Sequence, residues 1–76
     1  MIRPLYEIAA EIQSDWKNVN YGAKPYLEAM HSLTLITDMY GADRGRSIVA
    51  YFLANAQTWR GEVAKRIKTE LNKILK

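Results

Sequence analysis

Apolar residues recur at helical spacing in the first segment of the chain. They lie on one helix face, at Leu5, Ile8, Ala9, Ile12 and Trp16, which is the pattern of an amphipathic α-helix. Pro4 suits the first position of a helix, because the amide hydrogen that proline lacks would have no partner there. We therefore predict a helix from about Pro4, ended by the turn-forming residues 18–22.

The middle of the chain predicts two more helices. The second begins at residues 23–25, and its inward candidates are Tyr26, Leu27, Met30 and Leu33. The β-branched stretch 34–37 resembles a strand, but no second strand is found for it to pair with, so we extend this helix to about Met39. After the glycine-containing loop 40–47, a third helix is predicted with Asp43 or Ser47 as its cap. Because segment 47–56 is apolar on most sides, we expect this helix to be central and the most buried.

A fourth helix is predicted from Thr58 or Trp59 to the end of the sequence. Its apolar positions fall within an arc of about 120°, and they are Val63, Ala64, Ile67, Leu71, Ile74 and Leu75. No alternating strand pattern occurs. The prediction is a single all-α domain over residues 1–76, a compact bundle of about four short helices, and both tryptophans are expected in its core.

Composition narrows the classes of function. The 76 residues contain no cysteine and one histidine, His31, which excludes disulfides, cysteine-based zinc sites, thiol catalysis and a His-only metal cluster within the monomer. His31 has no nucleophile arranged beside it, so we expect no enzyme and no cofactor. No apolar run approaches 18 residues, so we expect a cytoplasmic protein that does not contact a membrane.

Charge divides the chain into unlike halves. Residues 1–38 carry three cations and five acids, and residues 39–76 carry eight cations and three acids. This asymmetry is typical of a surface for an acidic partner. The asymmetry is also consistent with two oppositely charged halves that pack against each other and with a lysine-rich helix end that is exposed to solvent.

Two candidate sites lie around the loops. Gly41 and Gly45 resemble a phosphate-binding loop, but they are one residue too close, arginine replaces lysine and no strand precedes them, so we reject a nucleotide-hydrolysing site. Arg44, Arg46 and Ser47 remain as a possible contact for an anion or a partner at a helix N-terminus; the alternative is a capped turn with solvated arginines. Tyr21, Tyr26 and Tyr40 are a possible interface; the alternative is that they cover the small core with their hydroxyls in water.

The cations of the last helix are the other candidate. Lys65, Arg66, Lys68 and Lys73 could follow a phosphate backbone, although lysine reads few base edges and no helix-turn-helix pattern accompanies them. The alternative is a solvated helix face.

Several short motifs along almost the whole chain resemble small uncharacterised bacterial proteins carried on prophages and conjugative elements. These motifs are RPL at residues 3–5 with IA at 8–9, DW at 15–16, YGA at 21–23, PYL at 25–27, MYG at 39–41, YFLANA at 51–56 and TWRGE at 58–62. The resemblance implies a bacterial accessory protein and assigns no role to any residue. We expect a non-catalytic helical interaction module that binds an unknown protein or itself, as a weak homodimer; the alternative is a nucleic-acid-associated accessory protein that uses the last helix.

Overall fold

The helices and strands follow one another along a mostly helical chain. The computed structural model describes residues 2–76, with α1 at Leu5–Asp15, α2 at Lys24–Met30, β1 at Met39–Tyr40, β2 at Asp43–Arg44, α3 at Gly45–Ala54 and α4 at Glu62–Leu75. The two strands form an antiparallel hairpin in which Met39 lies opposite Arg44. The prediction of four helices is confirmed, but a strictly all-α fold is wrong because of this hairpin.

All four helices contribute to the core, and α1 and α3 each pack against both α2 and α4. Phe52 is fully buried and lies edge-on to the rings of Trp16 and Trp59. Both tryptophans are buried, so their predicted place in the core is confirmed. Within α3, Ile48, Val49 and Phe52 are buried whereas Ala50, Tyr51 and Ala54 are exposed, so the apolar segment 47–56 buries one side of its helix.

The second helix ends at Met30, and its predicted extension to Met39 is wrong. The residues that follow form a loop, residues 33–38, which we call the capping loop. Its carbonyls at Leu33 and Thr34 accept hydrogen bonds from the amides of Tyr6 and Leu5, each at 2.9 Å. The first amides of a helix have no partner within the helix, so the loop supplies acceptors for the start of α1.

The same loop also caps α3. The amides of Gly45 and Arg46 donate to the carbonyls of Asp38 and Ile36, at 2.7 and 2.8 Å. The predicted side-chain cap is wrong, because Asp43 lies in β2, Ser47 lies inside the first turn, and no side chain caps the helix. The backbone carbonyls of the capping loop accept the hydrogen bonds of the first helix amides instead.

The last helix begins at Glu62, three to four residues later than predicted. Gly61, immediately before it, has a φ of +115°, a backbone conformation that residues other than glycine rarely adopt. The helix therefore starts after this glycine. Its predicted apolar arc is confirmed: Ala64, Ile67 and Leu71 are buried, and Val63, Ile74 and Leu75 are partly buried against the same core.

Candidate functional site

Three exposed apolar side chains lie on the hairpin and on the loop before it. Leu35, Met39 and Tyr40 are 52%, 56% and 45% exposed, and Arg44 is exposed on the strand paired with Met39. We call these four residues the hairpin surface. Tyrosine, methionine and arginine are enriched in protein interfaces, so the residue types here are those of a binding surface for another protein.

The part of the hairpin surface around Leu35 is held in place by one carboxylate. Oδ2 of Asp38 accepts hydrogen bonds from the amides of Thr34 and Leu35, at 3.0 and 2.9 Å. Gly45 fits closely behind, since a Cβ atom at this position would lie 2.8 Å from the carbonyl oxygen of Leu35. The capping loop, which presents Leu35 and leads into β1, is thus fixed to the start of α3, and this loop has little ordering entropy left to lose when a partner binds.

The predicted anion-contact residues Arg44, Arg46 and Ser47 have different surroundings in the structure. The first two amides of α3 already donate to the capping loop, so they are not available to an anion. The guanidinium of Arg46 donates to the carbonyl of Leu75, near the end of α4, and Ser47 is half-buried in α3. Arg44 and Arg46 are both exposed, but the guanidinium of Arg46 already has an acceptor within the fold, so Arg44, on the hairpin surface, is the remaining candidate contact.

The three candidate tyrosines have different surroundings. Tyr21 is 91% exposed. Tyr26 is half-buried and packs against the ring of Tyr51, with centroids 5.4 Å apart. Tyr40 belongs to the hairpin surface. Tyr26 thus partly covers the fold, as the alternative interpretation expected, while Tyr21 and Tyr40 are open to solvent.

Four charged side chains join the start of the chain, α1 and α4. The guanidinium of Arg3 donates two hydrogen bonds to the carboxylate of Glu70, at 2.9 and 2.7 Å, and lies 2.9 Å from Glu11. Glu11 also pairs with Arg66. We call Arg3, Glu11, Arg66 and Glu70 the ion-pair cluster. The Glu11–Arg66 pair joins the acidic and basic halves of the chain, as one interpretation of the charge asymmetry expected.

These contacts shift the titration of the cluster. The hydrogen bonds from Arg3 hold the pKa of Glu70 below its usual value, and those from Arg66 and Arg3 do the same for the pKa of Glu11. The bond to Glu70 raises the pKa of Arg3 further above its usual value. Arg3, Glu11 and Glu70 are therefore charged at neutral pH, and their ion pairs connect the start of the chain, α1 and α4.

The four cations predicted to meet nucleic acid have two different roles. Arg66 belongs to the ion-pair cluster, and Nζ of Lys68 donates to the carbonyl of Trp59 at 2.6 Å and lies 5.9 Å from the centre of its ring. Burial, and then the charge of Arg60, lower the pKa of Lys68. Lys65 and Lys73 are exposed and have no ion pair within residues 2–76.

Lys65 and Lys73 line a surface groove of about 630 Å³ along α4. The other residues that line it are Ile2, Glu62, Arg66, Thr69, Glu70 and Ile74. Two carboxylates thus stand among its three cations, so the groove does not present one sign of charge. This is a mixed surface, and it differs from the uniformly basic one that a phosphate backbone favours.

His31 contacts a residue of α1. Nε2 of His31 lies 2.7 Å from Oε1 of Gln13. Within residues 2–76 no three His, Cys, Asp or Glu side chains are grouped so that they could hold a metal ion. In the same part of the chain no helix has the length and apolar character needed to cross a bilayer.

Comparison with known proteins gives no relative: no family model, no curated protein and no solved structure matches the chain. The site must therefore be argued from its own chemistry. Sequence reasoning missed Leu35 and Met39, because the stretch 34–39 was assigned to a helix. The signal for an exposed apolar loop was available in this stretch, since its apolar residues come directly before the turn at Gly41.

Proposed function

We propose that this protein is a small, non-catalytic interaction module that binds another protein through the hairpin surface. The observation that carries the proposal is the exposure of Leu35, on the capping loop that hydrogen bonds fix at both ends, and of Met39 and Tyr40 on the strand that follows it. A monomeric domain gains nothing in stability from apolar side chains left in water, whereas a partner that covers them gains about 25 cal/mol for each Å² of apolar area.

The chemistry of the hairpin surface describes its partner. An apolar surface of the partner would cover Leu35, Met39 and Tyr40, and a carboxylate of the partner would meet Arg44, which lies opposite Met39. Arginine favours carboxylates because its planar fork donates two parallel hydrogen bonds. The resemblance to proteins of bacterial mobile elements supports a bacterial protein as the partner.

The alternative function, association with nucleic acid through α4, has weaker support. Arg66 and Lys68 are engaged within the fold, and Glu62 and Glu70 line the groove beside Lys65 and Lys73. Two free cations among acids would bind phosphates weakly, because affinity for duplex DNA grows with the number of phosphates neutralised.

The test is capture from a bacterial lysate with three forms of the protein, each with and without nuclease. The forms are the wild type, the variant Met39→Ser/Tyr40→Ser, and the matched control Tyr21→Ser. Tyr21 is the most exposed aromatic residue and lies outside the hairpin surface, so its change alters aromatic exposure without touching the proposed site.

A partner that is retained by the wild type and by Tyr21→Ser, survives nuclease and is lost with Met39→Ser/Tyr40→Ser supports the proposal. Its affinity is then measured with the purified partner for all three forms, and we expect a loss of at least about tenfold for the double variant, since two interface contacts are removed. Capture that depends on intact nucleic acid, or that the double variant leaves unchanged, would contradict it.

A further inference from the structure

We propose that the protein also forms a symmetric homodimer in which the outward faces of two α4 helices pack antiparallel. In this dimer Glu62 of each copy lies opposite the partner's Lys73, and Arg66 lies opposite the partner's Thr69. The surface is separate from the hairpin surface, so this inference does not depend on the proposed function.

The outward face of α4 has the spacing of a helix–helix seam. Glu62, Arg66, Thr69 and Lys73 are all exposed, and they follow one another at intervals of four, three and four residues. Such spacing keeps side chains on one line along a helix; a two-helix coiled coil carries apolar residues at this spacing, whereas α4 carries charged residues and a threonine. All four line the groove of about 630 Å³ along α4.

The order of charges selects an antiparallel second copy. When two α4 helices run antiparallel about a midpoint between Ile67 and Lys68, residue 62 meets residue 73 and residue 66 meets residue 69. Each seam layer then joins opposite charges or an arginine and a threonine. A parallel pair would place Glu62, Arg66 and Lys73 each against its own copy, and like charges in direct contact are destabilising.

The groove also offers apolar area for the second copy to cover. Ile2 is exposed and Ile74 is partly buried where they line it, and Thr69 has a short side chain at the middle of the seam. The charged seam residues needed across the dimer are available, since neither Glu62 nor Lys73 has an ion pair within residues 2–76. Arg66 keeps its contact with Glu11. A single pair of helices with a polar seam is a small interface, so we expect a dimer in exchange with monomer.

Charge exchange across the seam tests the arrangement. The variants are Glu62→Lys, Lys73→Glu and the double variant Glu62→Lys/Lys73→Glu, studied by sedimentation equilibrium at low salt. Each single change turns both symmetric contacts into like-charge contacts, so we expect dimer affinity to fall by about tenfold or more. The double variant has the net charge of the wild type and reverses both partners, so its affinity should return to within about threefold of the wild type.

A cross-link provides a second measurement that does not depend on affinity. The chain has no cysteine, so Glu62→Cys/Lys73→Cys introduces the only two thiols. Within one helix these positions are about 16 Å apart, too far for a disulfide, whereas the proposed dimer places them together. Oxidation should give a covalent dimer from the double cysteine variant and much less from either single variant.

Circular dichroism and thermal melting of every variant separate a loss of the dimer from a loss of the fold. The proposal is overturned if the wild type is monomeric at high micromolar concentration, if the charge-exchanged double variant stays as weak as the single variants while folded, or if the two single cysteine variants cross-link as readily as the double one.

Discussion

The indole rings of Trp16 and Trp59 lie nearly parallel, 5.7 Å apart between centroids and 9° between planes. Trp16 follows α1 and Trp59 precedes α4. The stacked pair therefore connects the end of α1 with the segment that leads into α4, which are far apart in sequence. Nε1 of Trp59 donates to the carboxylate of Asp15 at 2.8 Å. This bond satisfies the donor of an indole ring that is only 2% exposed.

The first prediction concerns this bond. Changing Asp15→Ala should lower the free energy of unfolding by about 1–3 kcal/mol, because the buried indole N–H loses its acceptor. A carboxylate at the end of a helix opposes the helix dipole, so without the bond the same change would stabilise α1. Urea denaturation gives the sign directly, with Glu7→Ala, an exposed acid of the same helix, as control. Equal or greater stability of Asp15→Ala would show that Trp59 does not rely on this acceptor.

The second prediction tests the contribution of α3 to the centre of the core. Phe52 is fully buried against both tryptophans, and Phe52→Ala should cost about 3–5 kcal/mol through lost burial and a cavity. Tyr51→Ala, one residue along on the exposed side, removes mainly the packing against Tyr26 and should cost no more than about 1.5 kcal/mol. Thermal melting of the two variants measures this contrast. If Phe52→Ala melts within a few degrees of the wild type, α3 does not hold the core together.

Much of the helical architecture could be predicted because its sequence signals lie within the individual helices. The apolar faces of α1 and α4 recur at helical spacing, and Trp16 and Trp59 extend or flank those faces. These patterns depend on residues within the same helix, so sequence alone was sufficient. Gly61 is also a local signal, because a glycine favours a helix boundary. It predicts the start of α4 more accurately than the apolar Trp59 does.

The capping loop could not be predicted in this way. Leu33 and Thr34 leave the helical conformation and offer their carbonyls to α1, while Ile36 and Asp38 offer theirs to α3. These acceptors are useful only because two helix ends arrive from distant parts of the chain. Leu35 and Met39 of the hairpin surface were missed for the same reason, since a loop fixed by tertiary hydrogen bonds looked like a continued helix, whereas Tyr40 and Arg44 were predicted as possible contacts.

The third prediction tests the fit between the capping loop and α3. Replacing a helical glycine by alanine usually favours a helix by up to about 1 kcal/mol. At Gly45 the new Cβ would lie 2.8 Å from the carbonyl oxygen of Leu35 and 3.0 Å from the Cα atom of Ile36, and backbone atoms cannot rotate away. We therefore expect Gly45→Ala to lower the melting temperature. Ala50→Gly, at an exposed site of the same helix, gives the ordinary scale of the exchange; a rise in stability for Gly45→Ala would contradict the close contact.

The fourth prediction is the pH dependence of the ion-pair cluster. Because the pKa of Glu70 is lowered in the folded protein, its contribution to stability is present above the unfolded pKa of about 4.3 and is lost as the pH falls through the lower folded value. Glu70→Gln should cost about 1 kcal/mol at pH 7 and progressively less as the pH falls below about 4. Melting temperatures between pH 7 and pH 2.5 check this, with the exposed Glu28→Gln as control. A cost that is the same at both ends of this range would mean that the charge of Glu70 does not stabilise the fold.

The fifth prediction separates the two roles of the cations on α4. Lys65→Gln/Lys73→Gln and Arg66→Gln/Lys68→Gln each remove two positive charges, so net charge is matched. The first pair is exposed without ion pairs within residues 2–76, and its loss should change the free energy of unfolding by no more than about 0.5 kcal/mol. The second pair loses the contact with Glu11 and the bond to the carbonyl of Trp59, which should cost about 1–2 kcal/mol.

The same two variants decide how nucleic acid would meet this face. Any affinity of the wild type for duplex DNA should come from Lys65 and Lys73, so their removal should lower the slope of log affinity against log salt by about 1.8. Fluorescence anisotropy with a labelled duplex over a salt series measures that slope. If Arg66→Gln/Lys68→Gln instead costs no stability and reduces the slope as much, these two side chains leave their intramolecular partners for phosphates, and α4 presents four cations to nucleic acid rather than two.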